Sequence, residues 1–104
     1  DGIDLAAPAG TIVKTCASGT VTRIEKDDRY GMIVEISHGN DLLSLYGNLA
    51  EDGLVELGEV VSRGDVIGKV GKTSTFEASG AEHLHFSMKL KGEPVDPGKY
   101  IKGL

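Results

Sequence analysis

The sequence predicts an all-β protein in which two antiparallel β-sheets pack as a sandwich around one small core. The first observation is that apolar residues recur at every second position, which is the spacing of half-buried strands. The second is the glycine content, 15 of 104 residues, because each glycine inside a helix costs about 0.5–1 kcal/mol relative to alanine. The third is the length, which suits a single domain of the usual ~100–200 residues.

The first half of the chain contains four predicted strands, separated by turn-forming residues. They cover residues 11–16, 19–26, 32–38 and 42–49. Residues 27–31 form a turn-like stretch before the third strand. Gly39-Asn40-Asp41 is a strong turn signal, so the third and fourth strands are expected to form a hairpin.

The second half of the chain predicts shorter strands. Between residues 55 and 71, glycines recur at 58, 64, 68 and 71 beside Val or Ile, which favours very short strands in a sharply folded second sheet. A last strand is predicted at 82–90. A turn at 92–94 and a closing helical turn at 96–101 should follow it.

Composition excludes several classes of protein. The net charge of −5 argues against a nucleic-acid partner, and no apolar run approaches the ~18 residues that would span a membrane. The single cysteine, Cys16, can form neither an internal disulfide nor a cysteine-rich zinc site. Because the chain begins at Asp1 rather than Met, we expect it to be part of a longer protein.

The sharpest local feature is the segment His83-Leu84-His85-Phe86. On a strand, both histidines would face one cleft, about 7 Å apart, while Leu84 and Phe86 face the core. Neutral imidazole is a good zinc ligand and also a general acid or base near neutral pH. Two histidines alone do not specify a metal site, however, and a solvated strand face is the simpler interpretation of this segment taken by itself.

Three further residues could line the same groove as these histidines. Asp4 offers a carboxylate ligand, although an exposed turn also explains it. Tyr46 could bind a substrate by donating a hydrogen bond, and Asn48 can donate and accept but has no titratable proton. We expect His38 to be structural, and Cys16 to be a small buried apolar side chain because no basic residue lies near it in sequence.

Six motifs occur in a fixed order over residues 2–100. They read GIDLAAPAGT, IVEISHG, YGNL, VELGEVVSRGDVIGKVG, HLHF and VDPGKY. This set resembles the lysostaphin-type (LytM-like) zinc endopeptidases, which cleave peptide bonds in bacterial cell-wall peptidoglycan. The resemblance implies a single LytM-like peptidase domain over residues 1–104, truncated at its N-terminus, with a β-sandwich built on a duplicated hybrid motif.

The resemblance also implies which residues form the site. In the family, zinc is held by the His and Asp of an HxGxD motif and by the second His of HxH. Asp4 and His85 match the last two ligands, and the first would lie one residue before Asp1. His83 matches one of the other two active-site histidines, but Asn48 replaces the His of the YxHL motif. An amide cannot take a proton from water, and loss of a general base typically costs ~10²–10⁴ in rate.

These matches imply a degenerate site with an incomplete zinc centre. The implied function is a non-catalytic module that binds peptidoglycan or a membrane-anchored protein partner in the bacterial envelope, as degenerate members in sporulation do. Its full-length protein would be anchored or secreted. One alternative is an active zinc endopeptidase that cleaves peptidoglycan cross-links, with His83 as its acid–base group. A second is a phosphotransferase IIA-like or carrier-type domain, because such domains share Gly-Val repeats like GEVVSRGDVIGKVG.

Overall fold

The computed structural model describes residues 2–74 and 82–99, which form nine strands and one short 3-10 helix at Pro97–Lys99. No helix in these ranges is long and apolar enough to cross a bilayer. The strands are β1 (Ile3–Ala6), β2 (Ile12–Lys14), β3 (Gly19–Asp27), β4 (Gly31–Ser37), β5 (Leu42–Leu49), β6 (Val60–Val61), β7 (Val66–Lys69), β8 (His83–Leu90) and β9 (Glu93–Val95).

The strands form two antiparallel sheets, which confirms the predicted fold class. The larger sheet has the order β1-β8-β5-β4-β3-β6, with β9 also paired to β8. Strands β1 and β9 follow each other along the same edge of β8, pairing with residues 83–86 and 88–90 respectively. The smaller sheet consists of β2 and β7. The candidate site lies on the larger sheet, because β1, β5 and β8 carry its residues.

The hydrophobic core lies between the two sheets. The smaller sheet contributes Val13 and Ile67, which are 4% and 0% exposed. The larger sheet contributes Tyr46 and Phe86, whose ring centroids are 5.2 Å apart. Burial of each large apolar side chain contributes about 1.5–3 kcal/mol. The face of the larger sheet that holds Tyr46 and Phe86 is its inner face, and the opposite face is called the outer face below.

The structure contains all four strands predicted in the first half, although the first, predicted at 11–16, covers only Ile12–Lys14. Strand β5 has the predicted bounds, and β4 pairs with it as the expected hairpin. In the connecting turn, Leu42 N donates to the carbonyl of Gly39 over 3.0 Å. Asn40 and Asp41 have φ angles of +53° and +64°, a conformation that these two residue types tolerate better than most.

The predictions missed two short edge strands. Strand β1 carries Asp4, so the exposed-turn interpretation of this residue is wrong. All four residues of β1 are exposed, and an edge strand of this kind shows little apolar alternation from which to recognise it. The predicted turn at 92–94 is also wrong at its end, because β9 begins at Glu93. Of the predicted closing turn, Tyr100 and Ile101 lie outside the described residues.

Glycine allows the segment after β7 to approach the larger sheet closely. A Cβ atom at Gly71 would lie 2.6 Å from the backbone of Ala50, and one at Gly31 would overlap the backbone of Thr73. Gly31 also has a φ of +73°, which other residues adopt at a cost. Residues 71–74 can therefore lie directly against β4 and the end of β5.

A carboxylate organises the turn between β3 and β4. Oδ1 of Asp27 accepts hydrogen bonds from the backbone N–H groups of Arg29 and Tyr30, at 2.7 and 2.9 Å. The Tyr30 and Arg29 N–H groups stabilise the charged form, and they hold the pKa of Asp27 below its ordinary value. This turn fixes the backbone from which the Tyr30 side chain projects.

Replacing Asp27 by Ala removes both hydrogen bonds, and we expect the free energy of unfolding to fall by about 1 kcal/mol at neutral pH. A depressed folded-state pKa stabilises the fold above the unfolded value, here 3.8, and this contribution is lost as the pH falls through the folded-state pKa. The difference between wild type and Asp27→Ala should therefore shrink below this pH.

Urea unfolding of both proteins at neutral pH and at about pH 2 measures this difference. Glu56→Ala is the matched control, because Glu56 is exposed and its carboxylate makes no hydrogen bond within residues 2–74 and 82–99. A stability difference that does not change between the two pH values would contradict the role assigned to the Asp27 carboxylate.

Candidate functional site

Antiparallel pairing between β1 and β8 places Asp4 directly opposite His85. Nδ1 of His85 donates a hydrogen bond to Oδ1 of Asp4 over 3.0 Å. The imidazole is buried, with 8% of its side chain exposed, whereas the carboxylate side chain is 65% exposed. Two residues that are 81 positions apart therefore meet at the surface because of strand register.

His83 lies on the same side of β8 as His85, as the HxH spacing predicts. Both residues are buried, at 7% and 6% exposure, so the interpretation as a solvated strand face is wrong. Phe86 belongs to the core and Leu84 packs against it, which confirms the predicted orientation of the strand. The two histidines thus project from the outer face into a sheltered site.

The ring of Tyr30, a residue that the sequence analysis does not assign to the site, covers His85. The rings of Tyr30 and His85 are stacked, with centroids 4.0 Å apart and planes 7° from parallel. The guanidinium carbon of Arg29 lies 5.6 Å from the Tyr30 ring centroid, within cation–π distance. A Cβ at Gly47, opposite His85 on β5, would lie 3.2 Å from Tyr30 Cβ and 3.3 Å from His85 Cβ. Glycine at 47 therefore leaves room for this stack, and no local sequence signal predicts it.

Asn48 uses its side-chain amide to join three segments of backbone. It is 3% exposed and has a φ of +62°. Its Nδ2 donates to the carbonyl of His83 over 2.7 Å, and its Oδ1 accepts from the N–H groups of Thr73 and Ser74, each at 2.9 Å. The N–H donors and the carbonyl acceptor fix the orientation of the amide. Both lone pairs of Oδ1 are thereby occupied.

Tyr46 does not line the predicted groove, because it lies on the inner face of the sheet. It pairs with Phe86, whereas its neighbour Gly47 pairs with His85. Tyr46 is 2% exposed, and its hydroxyl accepts from the backbone N–H of Cys16 and donates to Cys16 Sγ, at 3.0 and 3.1 Å. Burial above all, together with the Cys16 thiol, raises the pKa of Tyr46 to about 12. These contacts give the hydroxyl a structural role.

Cys16 has a basic neighbour, contrary to expectation, because His38 approaches it from a distant part of the sequence. Nε2 of His38 lies 4.0 Å from Cys16 Sγ and 2.7 Å from the hydroxyl oxygen of Ser44, while Nδ1 donates to the carbonyl of Ser18 over 2.8 Å. Burial opposes ionisation of the thiol, but hydrogen bonds from His38 and Tyr46 outweigh it and lower the pKa of Cys16. Burial also opposes protonation of His38, yet Cys16 and the Ser18 carbonyl together raise its pKa.

Two side chains at the site have the chemistry and spacing to share a zinc ion. Zinc binds His nitrogen and Asp oxygen at ~2.0–2.2 Å, so neighbouring ligands of a tetrahedral site lie ~3.3 Å apart. Oδ1 of Asp4 and Nδ1 of His85 are 3.0 Å apart. A catalytic zinc usually has three protein ligands, and residues 2–74 and 82–99 contain no metal-binding group of three His, Cys, Asp or Glu side chains. Among the described residues, Asp4 and His85 thus have the donor chemistry for two ligands of a zinc ion.

A cavity of about 160 Å³ begins at His85 and extends over the outer face of the larger sheet. Besides His85, its lining residues are Arg23, Asp27, Tyr30, Leu45, Ser87 and Lys89. The cavity therefore combines an aromatic and an aliphatic wall with charged side chains of both signs.

Comparison with known proteins identifies relatives that match almost the whole chain. The family described as peptidase family M23 matches residues 1–97. The stage II sporulation protein Q of Bacillus subtilis is 41% identical over 102 residues, which cover 96% of this chain and 35% of that protein. The DD-carboxypeptidase/endopeptidase Mpg of Neisseria meningitidis is 40% identical over 96 residues, which cover 92% of this chain and 21% of that protein. The chain thus spans about a third of the first relative's length and a fifth of the second's.

Solved structures agree with these relatives. A candidate M23 peptidase from Pseudomonas aeruginosa superposes with a TM-score of 0.86 at 36% identity, over 99% of this chain and 44% of the other. The SpoIIQ–SpoIIIAH pore forming complex superposes with a TM-score of 0.70 at 39% identity, over 82% of this chain and 52% of the matched chain. The family match over residues 1–97 and these likenesses show that the chain belongs to peptidase family M23, the LytM-like zinc-dependent peptidases.

Proposed function

We propose that this chain is a LytM-like module that binds its ligand without hydrolysing it. The observation that supports this function is the environment of Asn48, which stands where the family's YxHL motif has His. A general base must accept a proton from water, and groups with a pKa near neutrality do this best. The Oδ1 atom of Asn48 is not basic, and it already accepts two backbone hydrogen bonds.

The ligand that we propose has the chemistry of a peptide, either from peptidoglycan or from a membrane-anchored protein partner in the bacterial envelope. The Mpg relative is named for carboxypeptidase and endopeptidase activity, and the SpoIIQ relative has been solved in a complex with a second protein. The latter relative is also named for sporulation, which supports a role there. An extended peptide would lie on the outer face, where the Tyr30 ring and the Asp4–His85 pair are neighbours.

Any zinc that binds would be held by Asp4 and His85, and it would act as a Lewis acid on a carbonyl group of the bound peptide. The chain's own residues prepare these two groups. The stacked Tyr30 ring and the pairing of β1 with β8 fix the orientation of the imidazole. The exposed Asp4 carboxylate leaves the pair open to a ligand from solvent.

The second candidate function is an active zinc endopeptidase. Two observations favour it: the Asp4–His85 pair has the spacing of zinc ligands, and the buried His83 projects from the same face. His83 would then be the acid–base group in place of residue 48. The family match over residues 1–97 favours both of these functions, the non-hydrolytic module and the active endopeptidase, over the carrier and phosphotransferase alternatives.

Incubation with cross-linked peptidoglycan separates these two functions. We expect the purified chain with stoichiometric zinc to release no more soluble muropeptides than a control incubation of peptidoglycan with zinc alone. The chain should still bind, and therefore sediment with the insoluble wall or with a protein partner. Chromatography of the soluble fraction measures the first result, and an active M23 endopeptidase is the positive control. Sustained release of cleaved cross-links by this chain would overturn the non-hydrolytic function.

Restoring the family's histidine at position 48 should not restore hydrolysis. Asn48→His removes the partners of two N–H groups and one carbonyl, so we expect a loss of about 2–4 kcal/mol in the free energy of unfolding. Asn40→His is the matched control, because Asn40 also has a positive φ, +53°, but is exposed in a turn. Thermal and urea unfolding measure both variants. A stable Asn48→His variant that hydrolyses the wall would contradict this structural role. It would show that position 48 lacks only the catalytic side chain.

A further inference from the structure

The cavity on the outer face follows strand β8 away from the Asp4–His85 pair. Side chains two positions apart on a strand project from the same face, about 7 Å apart. His85, Ser87 and Lys89 are related in this way, and all three line the cavity. A ligand that begins at the candidate site can therefore continue along β8 and meet Ser87 and then Lys89.

The hydroxyl of Ser87 lines the cavity in a sheltered position. Ser87 is 8% exposed, and its side chain makes no hydrogen bond with residues 2–74 or 82–99. Because the hydroxyl lines a cavity, an oxygen atom of water or of a ligand can serve as its partner there.

Lys89 contributes a positive charge to the lining of the cavity. Its ammonium forms no ion pair with any residue that the structure describes, whereas Arg23 pairs with Glu25 and Glu35 at 2.9 and 3.3 Å. The remaining charge in the lining is the Asp27 carboxylate, whose Oδ1 accepts two backbone N–H groups. Because Arg23 is already paired with Glu25 and Glu35, the lining holds two charges without an ion pair among the described residues, the Asp27 carboxylate and the Lys89 ammonium, and the ammonium is the one that attracts an anion.

We propose that this cavity is a binding subsite for the carboxylate of an extended peptide, with the Ser87 hydroxyl and the Lys89 ammonium as its hydrogen-bond donors. The inference rests on the proposed function, because it takes the outer face as the ligand-binding face. Leu45 and the ring of Tyr30 supply apolar contact for the carbon atoms next to the carboxylate. Donors of this kind form charge-assisted hydrogen bonds with carboxylates, which are stronger than neutral ones.

Strand geometry sets where this carboxylate lies in the peptide. An extended peptide advances about 3.4 Å per residue, and the midpoint between Ser87 and Lys89 is about 10 Å from His85 along β8. The carboxylate is therefore two or three residues from the peptide group beside Asp4 and His85. A free C-terminus and an acidic side chain both present this group, so the test includes each of them.

Three short peptides test the subsite with the purified chain. They are acetyl-Ala-Ala-Ala with a free C-terminal carboxylate, the same peptide as its amide, and acetyl-Ala-Ala-Glu-amide. NMR chemical-shift titration at low salt gives each dissociation constant. We expect at least one carboxylate peptide to bind about tenfold more tightly than the neutral amide, as one charge-assisted contact predicts. The peptide that shows this preference identifies the source of the carboxylate.

Variants show whether the preference arises in this cavity. Lys89→Gln should abolish it and Ser87→Ala should reduce it several-fold, because each removes one donor. Lys14→Gln is the matched control, since it makes the same charge change at an exposed residue of the smaller sheet and should keep the preference.

Equal affinity for all three peptides, no binding of any peptide, or a preference that persists in Lys89→Gln would each overturn the subsite. These outcomes leave the proposed function standing if the chain still sediments with peptidoglycan or a protein partner without cleaving it. Conversely, wall hydrolysis would overturn the proposed function even if the carboxylate preference were present. The peptide titration therefore tests the subsite, and the wall assay tests the proposed function, independently of each other.

Discussion

The side-chain amide of Asn48 holds together the three segments that surround the candidate site. It joins the end of β5 to the carbonyl of His83 on β8 and to the N–H groups of residues 73 and 74. Its backbone adds two more contacts, since its N–H donates to the carbonyl of Tyr30 and its carbonyl accepts from Gly71. The position of the Tyr30 backbone, and of the strand that carries both histidines, thus depends on one buried residue.

The division of the larger sheet into two faces decides which residues can belong to the site. Tyr46 and Gly47 are adjacent in sequence, yet the first enters the core and the second lies beneath the Tyr30–His85 stack. The inner face has its own polar group, in which the hydroxyl of Tyr46 contacts Ser44 and Cys16. This group is sealed from the outer face by the sheet, so its Cys16–His38 contact cannot take part in chemistry at Asp4.

Sequence patterns predicted the parts of the fold that alternation controls. The bounds of β5, the β4–β5 hairpin and the burial of Phe86 follow from period-two apolar spacing and from a turn that suits Asn and Asp. The patterns could not predict β1, whose residues are exposed on both faces, or the stacking of Tyr30. Both depend on register between segments that are distant in sequence. The resemblance to the zinc endopeptidases nevertheless implies that Asp4 and His85 lie close together, because it matches them to two ligands of one zinc ion.

A residue that transfers protons must be able to change its hydrogen bonds during the reaction, and the partners of Asn48 do not allow this. Each partner is a backbone group whose loss would leave a sheltered N–H or carbonyl unpaired, at about 1–3 kcal/mol each. The residues along β8 have the opposite character, because the side chains of Ser87 and Lys89 form no hydrogen bond or ion pair with the described residues that a ligand would have to break. A ligand can therefore bind along β8 without breaking hydrogen bonds within the protein. Proton transfer at residue 48, in contrast, would break the hydrogen bonds that hold the segments around the site together. This difference in cost favours binding over hydrolysis on the same sheet face.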